Sequence, residues 1–192
     1  MKTKIASKIK ESIEIKKIIL NEHVDIIAHI SETILKSLKA GKKILICGNG
    51  GSASDAQHIA GEFINRFYLN RKPYPAIALT SDTAVITSIA NDFSYDEIFK
   101  KQVEALGEKD DILIAISTSG NSKNVNLAIK AAQEKKMLTI GFTGEKGGEL
   151  KKLAEITFQA PSNDTPRIQE AHILTFHIIC ELVEERLACN TK

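Results

Sequence analysis

The segment that most constrains the fold is an apolar run that changes abruptly into a polar turn. Residues 112–116 are Ile-Leu-Ile-Ala-Ile, residues 117–122 are Ser-Thr-Ser-Gly-Asn-Ser, and apolar residues then recur at helical spacing. A short apolar run bounded by turn residues is typical of a strand buried on both faces of a parallel sheet. The order strand, turn, helix therefore predicts an α/β protein whose ligands bind at the carboxyl ends of the strands.

The polar turn carries four hydroxyl side chains, Ser117, Thr118, Ser119 and Ser122, together with Gly120. Backbone N–H groups at the start of a helix attract anions, and hydroxyl groups add further donors. Glycine allows the tight or positive-φ backbone that such a turn requires. An ordinary turn with an N-cap serine is the alternative, but capping requires only one of the four hydroxyls. We therefore predict a phosphate-binding turn.

The same alternation of strands and helices extends along the chain. Further strands are predicted near residues 43–47, 75–79, 137–142 and 155–158, and helices near 82–90, 95–106 and 167–187. This pattern predicts an α/β three-layer sandwich around a five-stranded parallel sheet. Ser54 and Gln57 form a capping-box pattern, which predicts that the helix after the first strand begins near residue 54.

Residues 1–38 form a helical arm in front of this α/β core. Isoleucines recur at helical spacing from Ile5 to Ile34, so one long helix or two consecutive helices are predicted. The arm carries more apolar surface than one sheet face can cover, which predicts a subunit interface. Packing on its own domain is the alternative for part of the arm. We predict a single domain over residues 1–192.

Composition excludes several classes of protein. A net charge of +2 without a dense basic segment gives no reason to expect binding to nucleic acid. No apolar run approaches the roughly 18–20 residues of a membrane span, so we expect no membrane association. The three cysteines, Cys47, Cys180 and Cys189, have no metal or redox spacing. They indicate reduced thiols and hence a cytoplasmic protein.

The turn after the first strand is rich in glycine. Residues 48–53, Gly-Asn-Gly-Gly-Ser-Ala, match the dinucleotide-binding form G-x-G-x-x-A. The acidic residue that this interpretation requires after the second strand is missing, because Thr80 and Ser81 occupy that place. The pattern therefore indicates only a turn at which the backbone can approach a small polar ligand closely.

Two predicted helices carry side chains that metals and acid/base catalysts use. His58 and Glu62 are four residues apart on one helix, and Gln169 and His177 share a face of the last helix. The four side chains can surround one metal ion. Glu62 and His177 can alternatively perform general acid/base catalysis. Solvent-exposed helix positions with no site role remain a third interpretation.

Taken together and in order, these motifs resemble one family, the phosphoheptose isomerases of the sugar isomerase (SIS) domain superfamily. The resemblance covers nearly the whole chain and implies a flavodoxin-like SIS fold. The motifs that carry it are Gly48-Asn49-Gly50-Gly51-Ser52, His58-x-x-x-Glu62, Asn91-Asp92-Phe93, residues 116–122 and Arg167-Ile168-Gln169-Glu170-x-His172.

The resemblance implies a role for each matched residue. Glu62 and His177 are implied as the catalytic acid/base pair. A zinc ion is implied as cofactor, with ligands His58, Glu62, Gln169 and His177. The implied substrate-binding residues are Asn49, Gly50, Gly51, Ser52, Glu62, Asn91, Asp92, Ser117, Thr118, Ser119, Ser122 and Gln169.

The implied reaction converts D-sedoheptulose 7-phosphate into D-glycero-D-manno-heptose 7-phosphate, a precursor of ADP- or GDP-heptose for lipopolysaccharide or capsule. The resemblance also implies a homotetramer with its sites between subunits. Two alternatives remain open. One is a non-catalytic tetramer that binds a replication initiator protein, as some similar proteins do. The other is an isomerase for a different sugar phosphate.

Overall fold

The computed structural model describes residues 1–188, so Cys189 lies outside the described residues. Five strands and eight α-helices follow one another, with a 3-10 turn at Tyr95–Glu97. The strands are β1 (Ile44–Gly48), β2 (Ala76–Ala78), β3 (Ile112–Ile116), β4 (Leu138–Gly144) and β5 (Ile156–Ala160). The helices are α1 (Lys2–Glu22), α2 (Val24–Lys39), α3 (Gly51–Ile64), α4 (Thr83–Asp92), α5 (Lys100–Leu106), α6 (Lys123–Glu134), α7 (Gly148–Leu153) and α8 (Thr165–Ala188).

All five strands run parallel, in the order β2-β1-β3-β4-β5. Ile44 of β1 is opposite Ala76 of β2 on one side and Ile112 of β3 on the other. The predicted five-stranded parallel sheet is thereby confirmed. In this strand order the connections reverse direction between β1 and β3, and α/β proteins bind ligands in the crevice at such a point. The glycine-rich and hydroxyl-rich turns follow these two strands.

Period-two alternation along the strands divides the core into two layers. In β3, the isoleucines at 112, 114 and 116 pack with α2, α3 and α8, whereas Leu113 and Ala115 pack with α5 and α6. β1 alternates in the same way, and its five residues are all buried. The central strands are therefore covered on both faces, which explains their continuous apolar sequences.

The N-terminal arm consists of two helices with different environments. α2 is a core helix, because Ile27, Ile30 and Ile34 are at most 5% exposed. Burying each such side chain contributes roughly 1.5–3 kcal/mol. α1 buries only Ile19 and leaves Ile5, which is 54% exposed, and other isoleucines in solvent. The excess apolar surface predicted for the arm therefore lies on α1.

Some predicted boundaries were wrong. α3 begins at Gly51, not near residue 54, because Gly50 (φ +57°) turns the chain directly from β1 into the helix. Ser54 lies within the helix and forms no capping box. The predicted helix over 95–106 is a 3-10 turn followed by α5, and α7 was not predicted. Over residues 1–188, no helix has the length and apolarity needed to cross a membrane.

Candidate active site

The hydroxyl-rich turn leads from β3 directly into α6. Ser122 occupies the N-cap position of α6, but its hydroxyl does not cap the helix. It accepts a hydrogen bond of 2.9 Å from the hydroxyl of Ser117, which is buried. The hydroxyl proton of Ser122 therefore remains available to another acceptor. The hydroxyl of Ser119 accepts from the backbone N–H of Asn121 (3.1 Å), which likewise leaves its proton available.

Gly120 fixes the shape of this turn by close contact with a neighbouring loop. Its φ is +69°, and a Cβ at this position would lie 2.0 Å from the backbone oxygen of Gly147. The carbonyl of Gly120 accepts a hydrogen bond from the N–H of Leu150 in α7 (2.9 Å). Only glycine fits both the backbone conformation and the space. Thr118 is attached to the end of β4, because its carbonyl accepts a hydrogen bond from the N–H of Gly144 (3.0 Å).

A side-chain network joins the two turns. Asn49, directly after β1, exchanges two hydrogen bonds of 2.9 Å with Asn124 in the first turn of α6. The Tyr95 hydroxyl donates to the same Asn49 oxygen at 2.9 Å. The side-chain amide of Asn49 therefore has one N–H that these bonds do not use and that can bind a ligand. Sequence reasoning missed Asn124 and Tyr95, although Asn124 lies beside the predicted phosphate turn.

His58, Glu62 and His177 come together where α3 packs against α8. Their ligand atoms all lie within 4.8 Å of one another, and His58 Nε2 is 3.0 Å from Glu62 Oε1. The rings of His58 and His177 meet edge to face at 5.2 Å between centroids. Two imidazoles and a carboxylate at this spacing form a group that can hold a divalent metal ion.

Gln169, the fourth predicted ligand, lies two turns before His177 on α8. Its amide nitrogen packs against Gly51 so closely that a Cβ there would be 2.1 Å away. Gly51 thus makes room for the amide at the start of α3. Ser52 is almost fully buried next to it and donates its N–H to the carbonyl of Asn49 (3.0 Å).

Asn91 and Asp92 lie in the last turn of α4, and both are exposed. The Asn91 amide donates to the Asp92 carboxylate at 2.9 Å. Among the described residues, Asp92 does not belong to the group formed by His58, Glu62 and His177. The predicted contact of Asn91 and Asp92 with the substrate remains a prediction.

Two further ionisable groups lie near these residues. Burial raises the pKa of Asp55, one turn before His58, although the charge of His58 acts in the opposite direction. Burial lowers the pKa of His172 to about 4, partly offset by a hydrogen bond with the Thr143 carbonyl. Because a carbonyl can only accept, Nε2 of His172 carries the proton and donates at 3.0 Å. His172 is thus a neutral core residue, packed edge-on against Phe142 at 5.6 Å between centroids.

The chain resembles known proteins along nearly its whole length. The profile of the SIS domain matches residues 9–144. A protein of Clostridium acetobutylicum named phosphoheptose isomerase is 53% identical over 189 residues, which cover 97% of this chain and 96% of that protein. A protein of Thermodesulfovibrio yellowstonii with the same name is 53% identical over 184 residues, which cover 96% of this chain and 92% of that protein.

Solved structures agree with this relationship. The phosphoheptose isomerase of Neisseria gonorrhoeae superposes with a TM-score of 0.91 at 41% identity, covering 96% of this chain and 98% of that one. The structure of a phosphoheptose isomerase from Francisella tularensis superposes with a TM-score of 0.92 at 39% identity, covering 95% of this chain and 97% of that one. Fold, motifs and full-length identity agree, and the chain belongs to the phosphoheptose isomerase family of SIS-domain proteins.

Proposed function

We propose that this protein is an aldose–ketose isomerase that converts D-sedoheptulose 7-phosphate into D-glycero-D-manno-heptose 7-phosphate. The observation that carries the proposal is the presence of two different sites in one chain. An anion-binding turn follows β3, and the helix that follows β1 carries His58 and Glu62 next to His177. A phosphorylated sugar requires both, since its phosphate must be held while its carbonyl end reacts.

In this proposal the phosphate binds at the start of α6. Backbone N–H groups there would bind it together with the hydroxyl protons of Ser119 and Ser122, which are not used in the hydrogen bonds described above. Ser117 orients Ser122, and Thr118 completes the turn. The sugar hydroxyls contact Asn49, Gly50, Gly51 and Ser52 on one side and Asn91 and Asp92 on the other. Binding energy from the phosphate fixes the reacting carbons in position.

The chemistry moves a carbonyl from C2 to C1. Glu62 removes a proton from C1, which gives an enediol, and returns a proton to C2. His177 takes the proton from the C1 oxygen and supplies one to the C2 oxygen, so protons balance over the cycle. Glu62 lies in a partly buried position, and a carboxylate held close to carbon in such a site is a competent base.

We further propose zinc as the metal, bound by His58, Glu62, Gln169 and His177. The donor set fits, because zinc takes nitrogen and oxygen ligands, and ligand atoms around a tetrahedral ion are about 3.3 Å apart. The separation between His58 Nε2 and Glu62 Oε1, 3.0 Å, is close to this distance. Bound zinc would polarise the sugar oxygens as a Lewis acid. A carboxylate held by a cation is a weaker base, and an imidazole whose lone pair is bound to a metal cannot accept a proton. Glu62 and His177 therefore act on the sugar when they are not held by the metal.

The exposed apolar surface and the buried thiols bear on how the enzyme assembles and where it acts. We propose a homotetramer with sites between subunits, supported by the exposed isoleucines of α1. Cys47 and Cys180 are buried free thiols, which supports a reducing, cytoplasmic location. The product would supply the biosynthesis of activated heptose for lipopolysaccharide or capsule. A non-catalytic role in binding another protein is not favoured, because the relatives reported above are named as isomerases.

One assay tests the activity and the cofactor together. Purified protein should convert sedoheptulose 7-phosphate, lose activity on treatment with a chelator and regain it with added zinc. Arabinose and amino-sugar phosphates serve as competing substrates in the same assay. Absence of turnover with sedoheptulose 7-phosphate at saturating zinc would contradict the proposed function.

The phosphate turn gives a prediction about substrate affinity. Ser119→Ala removes one charge-assisted hydrogen bond worth roughly 1.5–3 kcal/mol, so KM should rise about 10- to 100-fold. Steady-state kinetics measure the change. Thr33→Ala is the control, because its hydroxyl bonds only the carbonyl of His29 on α2 and should leave KM unchanged. An unaltered KM for Ser119→Ala would show that this turn does not hold the phosphate.

The proposed assembly gives a prediction about mass. Light scattering should give about 84 kDa, four times the 21.1 kDa chain. Ile5 and Ile9 lie half-exposed on α1, so the double substitution Ile5→Lys and Ile9→Lys should lower this mass by placing charges in the interface. Lys130→Glu on the opposite side of the sheet is the control. A wild-type mass of a single chain at micromolar concentration would refute the tetramer.

A further inference from the structure

A buried ion pair joins the end of α3 to the second half of α8. Arg71, in the segment between α3 and β2, places its Nε 3.0 Å from Glu184 Oε1. The side chains are only 5% and 2% exposed. The two residues are 113 positions apart in sequence. Neither residue has a role in the function proposed above. Charged side chains are rarely buried unless they are paired, and removing one partner leaves an uncompensated buried charge.

Glu184 also holds the backbone that follows α3. Its carboxylate accepts hydrogen bonds from the N–H groups of Phe67 (2.8 Å), Tyr68 (2.6 Å) and Leu69 (2.8 Å). Burial acts to raise the pKa of Glu184, but these three bonds and Arg71 outweigh it and hold the pKa below its usual value. Glu184 therefore stays ionised and fully bonded in the folded protein.

Arg71 uses its other nitrogens to cap α3. Nη2 donates to the carbonyl of Glu62 (2.7 Å), and Nη1 donates to the carbonyls of Phe63 (2.7 Å) and Asn65 (3.2 Å). The last carbonyls of a helix have no partner within it, so a guanidinium there satisfies them. One of these carbonyls belongs to Glu62 itself, the residue that we propose as the base.

The ion pair thus connects the two helices that carry the metal-binding group. α3 provides His58 and Glu62, and α8 provides His177, two turns before Glu184. A second contact runs through the backbone that Glu184 holds. The ring of Phe67 lies 5.7 Å from that of His177, between centroids. A shift of Arg71 or Glu184 would therefore change the spacing between α3 and α8 and also displace the His177 ring.

We propose that Arg71 and Glu184 are positioning residues that set the separation of α3 and α8 at the group formed by His58, Glu62 and His177. Sites of this kind work only when their side chains are held within about 0.5 Å of the productive geometry. Loss of residues that orient metal ligands lowers metal affinity or activity about 10- to 100-fold. The effect on turnover rests on the function proposed above, whereas the effect on metal affinity does not.

Glu184→Gln and Arg71→Lys test the proposal in the full-length protein. Glu184→Gln should weaken zinc binding at least 10-fold, measured by competition with a chromogenic chelator, and lower kcat by a similar factor. KM should change less than threefold, because the phosphate turn belongs to β3 and α6. Arg71→Lys keeps the charge pair, but its single nitrogen cannot replace Nε and both Nη atoms. It should fold like wild type and show a smaller loss of the same kind.

A matched ion pair just before β1 and β3, whose hydrogen bonds reach neither α3 nor α8, provides the control. Asp111, 1% exposed, lies 2.6 Å from Lys43 Nζ and accepts from the N–H groups of Lys43 and Glu108. Asp111→Asn should lower Tm without changing zinc affinity or kcat. If Glu184→Gln and Arg71→Lys match Asp111→Asn in zinc affinity and kcat, the pair is only a stability element and the proposal is wrong. If wild type binds zinc without isomerising the sugar, the affinity measurement still decides the proposal.

Discussion

Replacing Glu62 by glutamine should lower kcat by about 10²- to 10⁴-fold, the usual contribution of a positioned acid/base group. Glutamine keeps the shape of the side chain and removes its basicity. KM should change much less, because the contacts of the phosphate turn remain. Exchange of the C1 proton of the substrate with deuterated solvent, followed by NMR, should stop as well.

Zinc binding separates the two roles proposed for Glu62. All rates should be measured at saturating zinc, because Glu62→Gln also changes a proposed ligand. His58→Ala should lose bound zinc, whereas Glu62→Gln at saturating zinc should be metal-loaded and inactive. Glu104→Gln on the exposed surface of α5 is the control and should behave as wild type. Activity of Glu62→Gln within a few-fold of wild type would refute the mechanism and make His177 the base.

Gly120→Ala should be the most damaging substitution in the phosphate turn. The positive φ costs about 1–2 kcal/mol for a residue with a Cβ. The new Cβ would also lie 2.0 Å from the backbone oxygen of Gly147, and relieving such overpacking typically costs a further 1–3 kcal/mol. Backbone cannot rotate away as a side chain does, so the whole turn must shift. Denaturant unfolding should show a free energy of unfolding lowered by the sum of the two costs. KM should rise because the N–H and hydroxyl donors of the phosphate turn move.

Gly41→Ala separates the strain from the collision. Gly41, after α2, has a φ of +76° with nothing within 4 Å of a built Cβ. Alanine at this position is therefore destabilised only by the positive φ. Because residue 41 does not belong to the phosphate turn, KM should not change. Equal losses of stability in Gly41→Ala and Gly120→Ala would contradict the argument that the contact with Gly147 fixes the turn.

Local sequence patterns were sufficient to predict the sheet. The isoleucine-rich strands β1 and β3 are buried on both faces, and each is followed by turn residues, so their positions were predicted within one or two residues. α7 was missed because its six residues, Gly148–Leu153, are too few to show helical periodicity. The capping-box prediction at Ser54 failed because Gly50, with its positive φ, had already started the helix.

The contacts that hold the site together could not be predicted from local sequence patterns. Helical spacing predicted that His58 lies beside Glu62 and that Gln169 and His177 share one face. It did not predict that α3 and α8 lie side by side. Asn49 and Asn124 are 75 residues apart, and nothing local in either segment indicates that their amides meet. Such pairs depend on which strands are neighbours, which is a property of the whole sheet.

The length of α8 has a consequence for how this enzyme can change over evolution. One unbroken helix carries Gln169, His177 and Glu184, and each residue of a helix adds about 1.5 Å and 100°. Inserting or deleting one residue between His177 and Glu184 would rotate Glu184 away from Arg71 by about a quarter turn or more. Substitutions in α8 can be neutral, but changes of its length cannot. We expect insertions and deletions to be confined to segments such as residues 135–137, between α6 and β4 and outside the helices and turns that carry the site.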